Sequence, residues 1–466
     1  MKFLDNLKNY NNKIAVTTEE GKNISYKELL KETDKLKKFL DTKNKSLVFL
    51  IGKNNLETII SYISSIHSDH AVALLDEKID SELLENLIIK YRPDFVISEK
   101  NKKIKSQEFS LFSDYYNFKI LKNKNSVNKN INKNLLFLIS TSGSTGSSKF
   151  VRISFENTQN NLLSILKYLP INEKDVTITT LPISYVYGLS IFNTHLYQGA
   201  RIVLNEKSVI EKRFLNLLEK EKVTSFGGVP YTFSIIDRVH KNKINFDSLK
   251  YVTQAGGKMN EKLLKNIMDL FKSNNKKFIS MYGAAEATAR MSYLDWKYAE
   301  DKFGSIGKPI AGGEFSLENN NGQKINETNV EGELIYKGNN VCLGYANHIS
   351  DLSLGDINKG ILKTGDIALK DKDDFFYLKG RKDRYVKIFG LRLNLDELEE
   401  LVSNYGVENI CKFDTENKIN ILIKENTNNF NLIKYISGKL SLHPNVFSIK
   451  KVNQFPMTKN LKIKYK

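Results

Sequence analysis

The chain of 466 residues is too long for one ordinary core and is expected to form two or more domains with room for a deep cleft. With 41% hydrophobic residues and only 7 Pro it reads as globular, and no apolar run approaches the roughly 18 residues that a membrane span needs. The net charge of +18 comes from lysine scattered among asparagines along the whole length, not from a basic stripe interleaved with aromatics, so no nucleic-acid partner is expected.

The start, "MKFLDNLKNYNNK", carries charges throughout and lacks the apolar core of a signal peptide. The 2 Cys, Cys342 and Cys411, match no metal-ligand spacing, and a reduced cytoplasmic protein is the expectation. In chain order, "ISYKELLKETDKLKKFL" has helical spacing, "SLVFLIG" is a buried strand, "LETIISYISSIHSD" is again helical, and "AVALL" and "DFVIS" are strands. His67 and His70, with no further ligand nearby, read as surface or core histidines. "KNKNSVNKNINKN", Lys122 to Asn134, reads as a solvated connector. Strands follow in "RIVLN", "SFGGVP", "YVTQAGG" and "KFISMYG", the last three ending in glycine or small residues where a ligand can approach the backbone. Alternating strands and helices imply parallel sheets of the doubly wound α/β kind, with the ligand site at the carboxyl ends of the strands.

Within this order stands "LLFLISTSGSTGSSKF", Leu135 to Phe150, an apolar run of strand length that feeds a loop of Thr, Ser and Gly closed by a lysine. Gly143 and Gly146 free the backbone so that N–H groups can converge on an anion, Thr141, Ser142, Ser144 and Thr145 add hydroxyl donors, and Lys149 adds a mobile charge. Such a loop can wrap a phosphate; a polar surface linker between two strands is the alternative. It is not a Walker loop, because Ser148 stands where the second glycine belongs and Phe150 occupies the hydroxyl position.

The loop "TSGSTGSSK", then "MYGAAEAT", "LKTGDIA", "GRKDRYVKIFGLRLNLDELE" and "PMTKNLKIK" resemble, in order and spacing, the motifs of the adenylate-forming enzymes, the superfamily of acyl-CoA synthetases, luciferases and peptide synthetase adenylation domains. "ISYKEL", "GSIGKP" and "GELIYKG" extend the resemblance over nearly the whole chain. It implies ATP-dependent activation of a carboxylic acid as an acyl adenylate, with pyrophosphate released, followed by transfer to the pantetheine thiol of coenzyme A or of an acyl carrier protein. It also implies magnesium and a fold of a large amino-terminal part, residues 1–382, with a small α+β carboxyl-terminal lid, residues 384–466, hinged at Asp383.

By the same resemblance, Thr141, Ser142, Gly143, Ser144, Thr145, Gly146 and Lys149 clasp the phosphates, and Glu286 is the magnesium ligand. Tyr282 stacks on adenine beside Gly283, Ala284 and Ala285, and Gly256 and Gly257 lie along the adenine and the acyl pocket. Asp366 accepts from the ribose hydroxyls with Arg381 in support, Gly390 lies toward the thiol's path, and Lys462, Glu286 and Thr145 carry the catalysis. Three departures stand out: Ala285 where the family has Thr, Leu461 where it has Gly, and Ser148 in place of a proline. The segment "LPISYVYGLS", in which Tyr185, Tyr187 and Gly188 are expected to shape the substrate pocket, with core packing the alternative for each, holds no carboxylate, so an uncharged acyl or aryl acid is expected over an amino acid. A nucleotide-binding member without turnover, a kinase and an amino-acid-adenylating enzyme are the other readings.

Overall fold

The computed structural model describes residues 4–125, 129–140, 149–388, 391–414, 418–440, 442–457 and 463. Among them run two large mixed sheets. One has eight strands, with a parallel centre formed by Leu47–Gly52, Ala71–Asp76, Phe95–Glu99 and Leu135–Ser140; the other has nine, with Ile14–Thr17, Arg201–Val203, Val176–Ile178, Ser225–Gly228, Tyr251–Gln254 and Lys277–Tyr282 parallel.

Strand periodicity explains the layering. Successive side chains alternate across a strand, so Val48 and Leu50 face the core between the two sheets while Leu47, Phe49 and Ile51 face the helix Ser81–Tyr91 on the outside. Ile178, Val203, Phe226 and Val252 likewise face Lys212–Lys220 and Glu261–Ser273 on the far side of the nine-stranded sheet. The helices Tyr26–Lys37, Leu56–His67, Phe155–Leu166 and Val186–Tyr197 fill the middle layer. The first of these starts where the sequence places a capping box: Ser25 Oγ accepts from the Glu28 N–H, and Glu28 accepts from the Ser25 N–H at 2.8 Å.

The strand Leu135–Ser140 pairs antiparallel with Phe150–Ser154, with Ser140 opposite Phe150. One expectation is corrected by packing. The connector is only partly solvated. Phe118–Asn123 is a strand, Lys129 is buried against Asp94 with Nζ to Oδ1 at 2.5 Å, and Ile131 sits in the outer core. The ion pair neutralises the charge that composition alone assigns to solvent.

A third, antiparallel sheet of five strands was not legible in the sequence: Lys324–Ile325, Gly313–Glu318, Gly332–Gly338, Ile361–Lys370 and Phe376–Arg381 in spatial order. After it come a short two-stranded ribbon and a three-stranded sheet, Asn409–Phe413, Ile419–Lys424 and Phe447–Val452, packed with the helices Leu395–Asn404 and Leu432–Leu440. Their core draws on residues from Ile388 onward, separate from the cores of the larger part. Asn394 Nδ2 donates to the Lys379 carbonyl at 2.8 Å, and Lys258 pairs with Glu400 at 3.0 Å across the two parts.

Candidate functional site

The strand Lys277–Tyr282 organises the site. Met281 points into the core between the large sheets, and Tyr282 points to the other side, toward Phe315 of the five-stranded sheet. There the Tyr282 hydroxyl donates to the Asp366 carboxylate. Asp366 is held in register opposite Arg381 on the neighbouring strand, with Nε to Oδ1 at 3.3 Å. Burial, with the Asp366 carboxylate next, pushes the Tyr282 phenol well up, so it stays a donor; burial also raises Asp366, while Arg381 opposes the rise.

Past Tyr282 the chain turns back through the short helix Ala285–Ala287 into the antiparallel strand Ser292–Leu294. The turn is strained: Thr288 and Ala289 both have positive φ, 56° and 110°. It is also tight, since a Cβ on Gly283 would overlap the Ala289 carbonyl. The segment Asn340–Tyr345 is stitched to this turn. Asn340 Nδ2 donates to the Ala287 and Arg290 carbonyls, at 2.7 and 3.0 Å, and the Cys342 N–H donates to the Glu286 carbonyl at 2.8 Å.

The stitching brings three charged or polar groups into line. Tyr345 donates its hydroxyl to Glu286 Oε1 at 2.6 Å, and the Lys149 ammonium stands 4.2 Å from the centre of the Tyr345 ring. Burial, then the Glu286 carboxylate, raises the Tyr345 phenol, which keeps it a donor. Arg152 anchors this segment from behind: its guanidinium, buried in full, donates to the carbonyls of Tyr345, Leu354, Leu343 and Gly355.

Glu286 Oε2 takes no partner among the described residues, and no cluster of three His, Cys, Asp or Glu able to hold a metal occurs among them. A single carboxylate beside a lysine ammonium fits magnesium, a hard cation that takes one or two carboxylates and completes its shell with phosphate oxygens and water.

On the Met281 side lies a cavity lined by Ser140, Tyr185, Val186, Tyr187, Ala255, Gly256, Gly283, Ala284, Ala285, Ala289 and Arg290. Tyr185 and Tyr187, at the start of the helix Val186–Tyr197, form its aromatic wall with rings 6.3 Å apart. Gly188 instead lines a neighbouring apolar cleft with Ile178, Leu181, Ile191 and Phe192. Gly257 lies against Pro230, outside the cavity lining.

Tyr282, Asp366 and Arg381 therefore meet on one side of the strand, Glu286 and Lys149 meet through Tyr345, and Tyr185, Tyr187, Gly256, Gly283, Ala284 and Ala285 meet in the cavity. Thr141, Ser142, Gly143, Ser144, Thr145, Gly146, Gly390, Leu461 and Lys462 lie outside the described residues. Sequence reasoning missed Tyr345 and Arg290. Arg290 lies just beyond "MYGAAEAT", and an arginine so placed in a chain whose cations are mostly lysine was the available signal.

Among the described residues no helix is long and apolar enough to cross a membrane. Among curated proteins, bacitracin synthase 1 of Bacillus licheniformis is 27% identical over 406 residues, 84% of this chain and 7% of that protein. The 2-succinylbenzoate--CoA ligase of Listeria monocytogenes serotype 4b is 25% identical over 272 residues, 58% of this chain and 54% of that enzyme, so the match spans about half the relative's length. The fold is that of O-succinylbenzoate coenzyme A synthetase (MenE) from Bacillus subtilis, solved with ATP and magnesium ion, at a TM-score of 0.79, 20% identity and coverage of 100% of this chain and 98% of that one. ATP-bound MatB from Rhodopseudomonas palustris shares it at a TM-score of 0.81, 17% identity, 100% and 97% coverage. The family model described as AMP-binding enzyme matches residues 3–346, and the chain belongs to that family.

Proposed function

We propose that the protein activates a small carboxylic acid with ATP as an acyl adenylate and then passes the acyl group to a pantetheine thiol, that of coenzyme A or of an acyl carrier protein. The reading rests on one observation, the meeting of two differently built compartments at Gly283–Glu286. A polar side with Tyr282, Asp366 and Arg381 suits a nucleotide's ribose and base, and an aromatic cavity with Tyr185 and Tyr187 suits an acyl group.

In the first half-reaction a carboxylate oxygen of the acid attacks the α-phosphorus of ATP and pyrophosphate leaves. Both partners are anions, so the site must offset their repulsion. Lys149 does so with the residues of the loop before it, and Glu286 would hold magnesium. Bound magnesium supplies charge neutralisation to the triphosphate. Lys462 would carry a further charge to the reacting atoms. In the second half-reaction the thiol sulfur attacks the acyl carbon and AMP leaves. The part beyond Asp383 acts as a lid that turns between the two steps, and by resemblance Gly390 would serve the thiol step.

The likeness to bacitracin synthase raises amino-acid activation as a second reading. The cavity argues against it, because its lining holds no carboxylate to receive an ammonium and does hold Arg290. The test is pyrophosphate release with ATP, magnesium and a panel of fatty, aryl, dicarboxylic and amino acids. AMP and pyrophosphate as products are expected. ADP as product, or robust turnover of free amino acids alone, would refute the proposal.

A further inference from the structure

Arg290 is the charged side chain in the described lining of the cavity that Tyr185 and Tyr187 wall. A guanidinium stays protonated inside a protein, and a buried charge is costly unless it is paired. Arg290 is 2% exposed and yet faces no carboxylate among the described residues. Its Nε donates to Ser190 Oγ at 3.2 Å, its Nη1 to Tyr168 Oη at 3.2 Å with the Met281 sulfur at 3.1 Å, and its carbon Cζ stands 5.2 Å from the centre of the Tyr187 ring. Nη2 has no hydrogen-bond partner among the described residues. The segment Thr141–Ser148, outside the described residues, contains no acidic residue.

Arg152 is the internal contrast. It is equally buried, but Nε, Nη1 and Nη2 all donate to backbone carbonyls, which is how a purely structural arginine is satisfied. Arg290 instead lines the cavity with part of its fork unused.

Position separates Arg290 from the reacting groups. Its partners Met281, Tyr168 and Ser190 lie on the face of the strand opposite Tyr282, Asp366 and Arg381. Arg290 and the segment Gly283–Ala285 line the same cavity, but the guanidinium is held on the Met281 side. So placed, it can address a part of the acid other than the carboxylate that reacts with the nucleotide.

We propose that the acid taken by this cavity carries a second anionic group, a carboxylate or an equivalent oxyanion remote from the reacting one, and that Arg290 receives it. The inference rests on the adenylating activity proposed above, and it departs from the uncharged acyl or aryl acid expected from the sequence. The missing counter-charge would be supplied by the substrate, through a charge-assisted contact with the arginine fork.

The test compares matched pairs, butanoate with succinate, pentanoate with glutarate and benzoate with phthalate, in the wild-type protein and in Arg290→Gln. Pyrophosphate release gives kcat/KM, and the shift in melting temperature with acid alone gives binding without turnover. At least one diacid should exceed its monoacid by roughly 10- to 100-fold, and Arg290→Gln should erase that preference while leaving the KM for ATP unchanged. Equal or better use of every monoacid by the wild type would overturn the inference, and that comparison needs no variant to fold. So would a diacid preference that survives Arg290→Gln. If no acid drives pyrophosphate release, the activity itself fails, and the melting shift still decides this point. A diacid-specific shift abolished in Arg290→Gln supports the anion site, and its absence in the wild type refutes it.

Discussion

Lys149 rests its ammonium 4.2 Å from the ring centre of Tyr345, and the same tyrosine holds Glu286 by its hydroxyl at 2.6 Å. One side chain thus fixes the spacing between the cation that closes the glycine-rich loop and the carboxylate proposed to hold magnesium. Tyr345→Phe keeps the ring and loses the hydroxyl. It should lower the adenylation rate about tenfold and raise the magnesium needed for half-maximal rate. Tyr345→Leu should lower it further. Pyrophosphate release measured across a magnesium series checks both; wild-type magnesium dependence in Tyr345→Phe would remove Tyr345 from this role.

Asp366 is the group proposed to accept from the ribose. Asp366→Asn retains the shape but loses the charge facing Arg381 and the strong acceptor for Tyr282. Affinity for ATP should fall by roughly 10- to 100-fold with the KM for the acid little changed. Isothermal titration with ATP and steady-state kinetics in the acid distinguish this from a general loss of structure.

Asp383 lies in the turn Lys382–Arg384 between the two parts of the chain. Asp383→Pro fixes the backbone there and should slow one half-reaction far more than the other. The comparison is adenylate formation from acid and ATP against thioester formation from supplied acyl adenylate. Equal slowing of both would argue against a pivot at this residue.

Lys462 lies outside the described residues, and the role proposed for it by resemblance has an electrostatic consequence. A lysine that offsets charge between carboxylate and α-phosphate acts only while that charge builds up. Lys462→Ala should cost on the order of 10² to 10³ in adenylation and leave thioester formation from acyl adenylate nearly intact. Adenylation at the normal rate would pass the role to Lys459, Lys464 or Lys466.

His195 gives a pH test of stability. Its Nδ1 lies 2.7 Å from the Ile191 carbonyl and its Nε2 3.3 Å from Ser225 Oγ, in the middle helical layer. Burial lowers its pKa from the ordinary 6.5 to about 4. Between those values the unfolded chain is protonated at this site and the folded one is not, so the unfolded state binds more protons and stability rises with pH. The contribution is lost as pH falls through the window and amounts to about 3 kcal/mol. Denaturant unfolding of His195→Gln between pH 6.5 and 4 should show a shallower dependence than the wild type. His70, also lowered by burial, leaves a residual slope.

The parallel strands were legible because each is a continuous apolar run buried on both faces, as Leu47–Gly52 and Leu135–Ser140 are. The five-stranded antiparallel sheet was not, because its strands alternate weakly and owe their order to partners far along the chain, such as Asp366 opposite Arg381. Tyr282, Asp366 and Glu286 could be named from motifs, whereas Tyr345 could not. Its place depends on hydrogen bonds from Asn340 and Cys342 to a turn 50 or more residues earlier. Arg290 was overlooked for a different reason: its place just beyond "MYGAAEAT" was a weak signal in the sequence, and burial without a counter-ion among the described residues is what sets it apart from a surface arginine.

The alternation of Met281 and Tyr282 on one strand has a consequence for how such a protein can change. Their side chains enter separate cores, so a substitution at 281 is felt by Arg290 and the cavity side, and one at 282 by Asp366 and the five-stranded sheet. On the proposed function, preference for a new acid can therefore drift while the grip on ATP stays constant. A one-residue insertion in this ribbon would exchange the two faces and ruin both at once.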